Sequence, residues 1–246
     1  MQGLRYCADD CLERVLTAAL GRVQPAPPRA SARHRIPLGL LLLSRQQLTA
    51  EQLRIALAAQ RDAGSGRIGE WLQRLGFASE RQVTAALARQ WSCPVLRGDS
   101  LAPALDRIPQ IPVALLESVA MIPVAYIETT STLHVAFAEG IDYGVLYALE
   151  QMLGCHTEPC LAVPSLLRER LERLSEQRGE GEILFEHLAD VSEFVRIVCS
   201  YSVRVAASEI RLATCGPHLW VRLLRPVAGP LDLLLCLPQK ATVPSS

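Results

Sequence analysis

Residues 37–60 read PLGLLLLSRQQLTAEQLRIALAAQ, and residues 67–90 read RIGEWLQRLGFASERQVTAALARQ. Set 30 positions apart, the two stretches share Gly39/Gly69, Leu42/Leu72, Gln52/Gln82, Ala56/Ala86, Leu57/Leu87, Ala58/Ala88 and Gln60/Gln90. They are one unit written twice. Two units are too few for a solenoid, which needs at least three to bury its faces. A tandem pair instead predicts pseudo-twofold packing, with equivalent residues converging on one shared surface. A ligand that is itself two-fold would suit such a surface.

Each unit reads as a helix hairpin. Thr49 and Ser79 stand where an N-cap belongs, each with a glutamine three residues on, Gln52 and Gln82. In that capping box each side chain satisfies the other residue's backbone N–H. Leu53/Leu57 and Val83/Leu87 then make an i, i+4 apolar stripe. Gly76 falls at the end of the preceding helix, where a left-handed residue is usual. The first copy has Gln46 there, at a cost of roughly 1 kcal/mol if the same backbone is kept.

Outside the repeat, a length of 246 residues suffices for two cores. Half the residues are apolar and 5% aromatic, the balance of an aliphatic, helix-leaning globular protein. The longest apolar run, 38–43, is far too short to span a membrane. The N-terminus, MQGLRYCADDCLERV, has no apolar core of the kind a secretory signal needs. Cytoplasm is the expected location. Net charge is zero in total but +2 over 1–34, +4 over 35–90, −5 over 91–174 and −1 over 175–246. The duplicated region is the basic part, which suits an anionic ligand and equally suits an ordinary arginine-rich surface.

Several functions are excluded. The chain has a single lysine, Lys240, and no Gly-x-x-x-x-Gly-Lys-Ser/Thr loop, so it is not a P-loop ATPase. Eight cysteines form no CxxC pair and read as reduced, mostly buried small hydrophobes. Neither Cys155, His156 and Cys160 nor Cys7 and Cys11 make a four-ligand set at zinc-finger spacing, so no metal is expected. No nucleophile elbow or paired-carboxylate motif is present, and an enzyme is not expected. No helix concentrates basic residues for nucleic acid.

Along the chain, an amphipathic helix over 8–21 leads into the linker QPAPPRASAR at 24–33. After the repeats the pattern predicts a loop punctuated by Pro103, Pro109 and Pro112, a helix over 113–119, strands over 121–127 and 132–138, a helix over 143–153, a strand over 156–163 and a helix over 165–174. A polar linker follows. Then come a helix over 191–207 and strands over 209–213, 219–225 and 231–237, the last an exposed edge that would invite pairing with another chain and hence a homo-oligomer. The expected class is α+β: a tandem helix-hairpin repeat, a small α/β sandwich, then a second, partial α+β unit. The expected divisions are 1–34 (helix and linker), 35–174 (repeats, then an α/β part over 91–174), 175–190 (linker), 191–238 and a disordered tail at 239–246.

The doubled unit resembles the tandem motif Arg-Leu-Gly-x-x-Leu-x-x-x-Gly-Leu-x-(Ser/Thr)-…-Leu-x-x-x-Leu-x-x-Gln of the MshEN, or GspE N-terminal, domain of type II secretion and type IV pilus assembly ATPases. Pro112-x-Ala114, Ile122-Pro123-Val124 and Leu133-x-Val135-Ala136-x-Ala138…Asp142 are similar to the rest of that domain. Ala207-Ser208-Glu209-Ile210-Arg211 and Val221-Arg222-Leu223 resemble stretches of the domain that follows it. The likeness covers roughly residues 35–237. In that family the doubled motif binds cyclic di-GMP. The resemblance therefore implies ligand contacts at Arg35, Gly39, Leu42, Leu53, Leu57 and Gln60 in copy one. In copy two it implies Arg67, Gly69, Leu72, Gly76, Val83, Leu87 and Gln90. Copy one departs from the pattern: Pro37 holds the arginine position, leaving Arg35 as its substitute, and Gln46 replaces the second glycine. The family's carboxylate-and-proline stretch is altered to Glu139-Gly140-Ile141-Asp142. No counterpart of the family's motor domain follows within these 246 residues, and the expectation is either a stand-alone paralogue or a truncated gene. The implied function is a non-catalytic adaptor that docks on an inner-membrane platform or ATPase component of a secretion or pilus system. It would lie peripheral to the inner membrane and need no cofactor. The alternative is a cyclic di-GMP sensor.

Overall fold

The computed structural model describes residues 14, 16–18, 35–96, 110–176, 181–186 and 190–236. Of the N-terminal helix only Arg14 and residues 16–18 are described, and they are helical. The linker at 24–33, Pro103, Pro109 and the tail from 237 lie outside the described residues.

The doubled unit folds as four helices: α1 (Leu38–Ser44), α2 (Ala50–Ala63), α3 (Ile68–Arg74) and α4 (Glu80–Trp91). Both capping boxes form. Thr49 and Ser79 accept from the Gln52 and Gln82 backbone N–H groups, and each glutamine side chain accepts in return. The turn that ends α3 uses Gly76 at φ 69°, and the turn that ends α1 keeps the same backbone with Gln46 at φ 56°. The hydrogen bonds match as well: Gln46 N to Leu43 O and Gly76 N to Gln73 O, both 2.9 Å. Copy one therefore carries the left-handed cost that its sequence implies.

The helices are exchanged between copies. α2 of copy one packs on α3 of copy two, α4 of copy two packs on α1 of copy one, and α1 meets α3 between them. Leu42 and Leu72 are fully buried in the centre, with Ala56 and Ala86 beside them. Small residues there let the helices approach closely.

A short helix, α5 (Val113–Val119), then leads into a three-stranded sheet, β1 (Met121–Ile127), β2 (Thr132–Phe137) and β3 (His156–Leu161), in that order. β1 and β2 are antiparallel; β3 lies parallel to β2 after the crossover helix α6 (Tyr143–Leu153). Pro123, which has no N–H to give a ladder, lies on the edge strand beside a register shift. The period-two alternation sends Leu133, Val135 and Phe137 towards α5 and α6. It sends Ile122, Val124 and Ala136 towards α7 (Pro164–Glu176). The residues after α4 run along β3, with Leu96 N donating to Leu161 O at 2.7 Å. The repeats are thereby fixed against the sheet.

The second sheet has the order β4-β7-β6-β5, from β4 (Glu182–Phe185), β5 (Glu209–Cys215), β6 (His218–Leu224) and β7 (Leu231–Cys236). β4 arises inside the segment read as a linker. It corrects the expectation for the last strand: β7 is no edge, because it pairs with β6 on one side and β4 on the other. One face packs on α8 (Val191–Arg204) through Leu219, Val221, Leu233 and Leu235, joined by Leu16. The opposite face packs on α6, placing Trp220, Leu234 and Cys215 in the same core as Leu149 and Met152. Arg222 and Asp232, cross-strand partners about 5% exposed, form a two-pronged ion pair at 2.8 Å. Trp220 Nε1 also donates to Asp232, and Arg222 donates to the Gln110 carbonyl.

The described cysteines are all free thiols, four of them buried. Burial pushes the Cys160 and Cys215 thiols up to about 12. Among the described residues no His/Cys/Asp/Glu group could hold a metal, and no helix is long and apolar enough to cross a membrane.

Candidate functional site at the pseudo-twofold

The motif residues gather where the two copies meet. Gly39 and Gly69 lie on the facing helices α1 and α3, each buried against its own copy's second helix. A methyl group on Gly39 would lie 2.6 Å from Leu53 Cδ1, and one on Gly69 would lie 3.0 Å from Val83 Cγ1 and 3.2 Å from Leu38 Cδ2. The glycines thus set the spacing of the hairpins. Leu42, Leu72 and Val83 are buried, Leu53 and Leu87 are half-buried, and Leu57 is 40% exposed. Gly76 is exposed and a methyl group there would meet nothing within 4 Å, so its role is the turn itself.

The terminal glutamines reach across. Gln60 Nε2 donates to the Gly66 carbonyl at 2.8 Å, just before α3 of the other copy. Gln90 Nε2 donates to the Ile36 carbonyl at 2.7 Å, just before α1 of the other copy. The two bonds map onto each other at the 30-residue offset. Each copy closes the other, the signature of an isologous contact.

The cations break the symmetry. Arg67 pairs with Glu139, Nη1 to Oε2 at 2.8 Å, with both side chains 53% exposed. At that exposure such a pair is worth about 0.2–1 kcal/mol. Its geometric counterpart is Pro37, which offers no charge. Arg35 lies over the Trp91 ring, 3.3 Å from the ring centroid. Trp91 is backed by Gly140 at φ 155°, where a methyl group would come within 2.8 Å of the indole, and Tyr143 lies 6.3 Å away. The sequence singled out neither Trp91 nor the carboxylate of Glu139 as a partner. The altered stretch 139–142 was the only signal, since Glu139 lies 72 residues from the arginine it meets. The arrangement offers hydrogen bonding, stacking and charge.

No protein-family model and no curated protein matches the chain. Among solved structures it is similar to a structure of MshE with cdg, at 29% identity and a TM-score of 0.49, over 56% of this chain and 99% of that one. It is also similar to the N-terminal domain of XpsE in two crystal forms. The first has 22% identity and a TM-score of 0.45, over 60% of this chain and 98% of that one. The second has 23% identity and a TM-score of 0.35, over 60% and 99%.

Proposed function

We propose that this chain is a non-catalytic adaptor, related to the N-terminal domains of secretion and pilus ATPases, that docks on such a machine without needing a nucleotide. The observation that carries this reading is the internal use of the motif's polar groups. Gln60 and Gln90 bond backbone carbonyls, Arg67 pairs with Glu139, and Arg35 stacks on Trp91. A dianionic ligand on the axis would meet one arginine already paired and a proline opposite it. Calorimetric titration of the purified chain with cyclic di-GMP, alongside GTP, tests the nucleotide half of the reading. No saturable heat is expected. Capture of the cytoplasmic domain of an inner-membrane platform protein in the absence of nucleotide tests the docking half.

A cyclic di-GMP sensor is the second reading, favoured by the two-fold exchange of the hairpins. Cyclic di-GMP is what that family's doubled motif binds, and the MshE structure is one with cdg. On this reading saturable, selective heat appears and is lost in Arg67→Ala. Retained affinity in that variant would sink the residue assignment.

A further inference from the structure

The two copies diverge most at the turn between the helices of copy one. Arg45, Gln46 and Gln47 stand where copy two has Leu75, Gly76 and Phe77. Gln46 occupies the left-handed region, and Gln47 Oε1 is buried without a hydrogen-bond partner. Both are unfavourable choices that the second copy avoids. Strain of this kind persists where the surroundings over-determine it, and it concentrates at functional sites.

That turn borders an open groove of about 720 Å³ running along α4, lined by Arg45, Ala85, Ala88, Arg89, Ser92, Cys93 and Val95. The groove also gathers divergences of the second copy's helix: Ala85 replaces Ile55, Arg89 replaces Ala59 and Ser92 replaces Asp62. Ser92, like Gln46, is a non-glycine residue in the left-handed region, at φ 53°. The equivalent positions on the other side of the two-fold are therefore apolar and acidic, while this side is open and basic. Arg45 and Arg89 are exposed and, among the described residues, have no hydrogen-bond or ion-pair partner. Of the other arginines on these helices, Arg54 and Arg61 are hydrogen-bonded, Arg74 lies over the Trp71 ring, and Arg81 is, among the described residues, likewise without a hydrogen-bond or ion-pair partner. Beside the two cations the lining is of small side chains, with Val95 39% exposed, Ala85 and Cys93 half-buried, and Ser92 exposed.

We infer that this groove receives an acidic segment of a partner protein, an assignment that rests on the adaptor reading and names its docking face. Two unpaired guanidiniums each offer a planar fork that matches a carboxylate. Val95 and Ala85 beside them can meet a small apolar side chain, a contact an inorganic anion cannot make. Charge complementarity thus selects a peptide with acidic residues flanking an apolar stripe.

Fluorescence anisotropy on the full chain tests this with a labelled peptide of about 14 residues of Ala, Leu and Glu, long enough to form marginal helix. The same peptide with Lys for Glu is the control. The Glu peptide is expected to bind saturably, more weakly as salt rises. Arg45→Leu combined with Arg89→Ala should lower its affinity at least about tenfold, the effect of losing one charge-assisted contact. Those substitutions install the other copy's residues, and an unchanged melting curve shows that the fold survives them. Four results overturn the inference: no binding of the Glu peptide, equal binding of the Lys peptide, unchanged affinity in the double variant, or full competition by stoichiometric inorganic phosphate. Capture of the platform domain separates the two levels. Equal capture by wild type and double variant removes the groove and keeps the adaptor, whereas no capture by wild type removes the adaptor itself.

Discussion

Replacing Gln46 by glycine should stabilise this protein. Gln46 stands at φ 56° in the turn whose counterpart in copy two is Gly76 at φ 69°, with matching hydrogen bonds. A side chain in the left-handed region costs about 1–2 kcal/mol. Glycine gives the unfolded chain extra freedom, which returns about 0.4–1 kcal/mol of that gain. At mid-range the two leave about 0.8 kcal/mol in favour of Gln46→Gly. For a chain of this size that raises the melting midpoint by about 2–3 °C. The reverse exchange, Gly76→Gln, is its control. A methyl group at Gly76 meets nothing within 4 Å, so the loss comes from the backbone alone and should be of similar size. Calorimetric or circular-dichroism melts of both variants, checked by urea midpoints, measure the pair. A Gln46→Gly midpoint at or below wild type, or a Gly76→Gln midpoint at or above it, would refute the reasoning.

Gly69→Ala should destabilise by about 1–3 kcal/mol through overpacking, because Val83 is β-branched and cannot swing away. Gly39→Ala should cost less, since only the tip of Leu53 obstructs it; comparative melts of the two variants decide. Asp232→Ala leaves the Arg222 guanidinium buried and uncompensated and should cost about 3–5 kcal/mol in urea unfolding, whereas replacing both residues by apolar ones should recover most of that loss. Cys160 and Cys215 should resist iodoacetamide at pH 8 in the native protein and label on unfolding, read by mass spectrometry. Their folded values of about 12 lie above the ordinary value of 9.0. The stability they add is therefore whole below about pH 9 and lost as pH rises towards 12.

Local chemistry made the repeats legible. Capping boxes, a helix-ending glycine and i, i+4 apolar pairs act within one turn of chain; the caps, the glycine and the helices stand where expected, while Leu57 of the first pair is 40% exposed. The strands 121–127 and 132–137 were legible for the same reason, through alternation. Glu182–Phe185 escaped because four residues after a polar, glycine-containing stretch carry too little periodicity, and without it β7 stood wrongly at an edge. The destination of each cation was not legible at all. Arg35 finds the face of Trp91 and Arg67 finds Glu139 only because β3 brings the end of α4 against the sheet.

The reciprocal glutamine bonds also bear on how such a chain could arise. An arrangement in which residue 60 closes on 66 and residue 90 closes on 36 has the form of a dimer of single hairpins later joined by the connector 61–66. Such a lineage is capped at two copies, because a third would find no unclosed end to grow from. Selection then acts unequally on the two. Fully buried central positions such as Leu42 and Leu72 stay matched, while exposed ones such as Arg45 and Leu75 have diverged and are free to acquire separate uses.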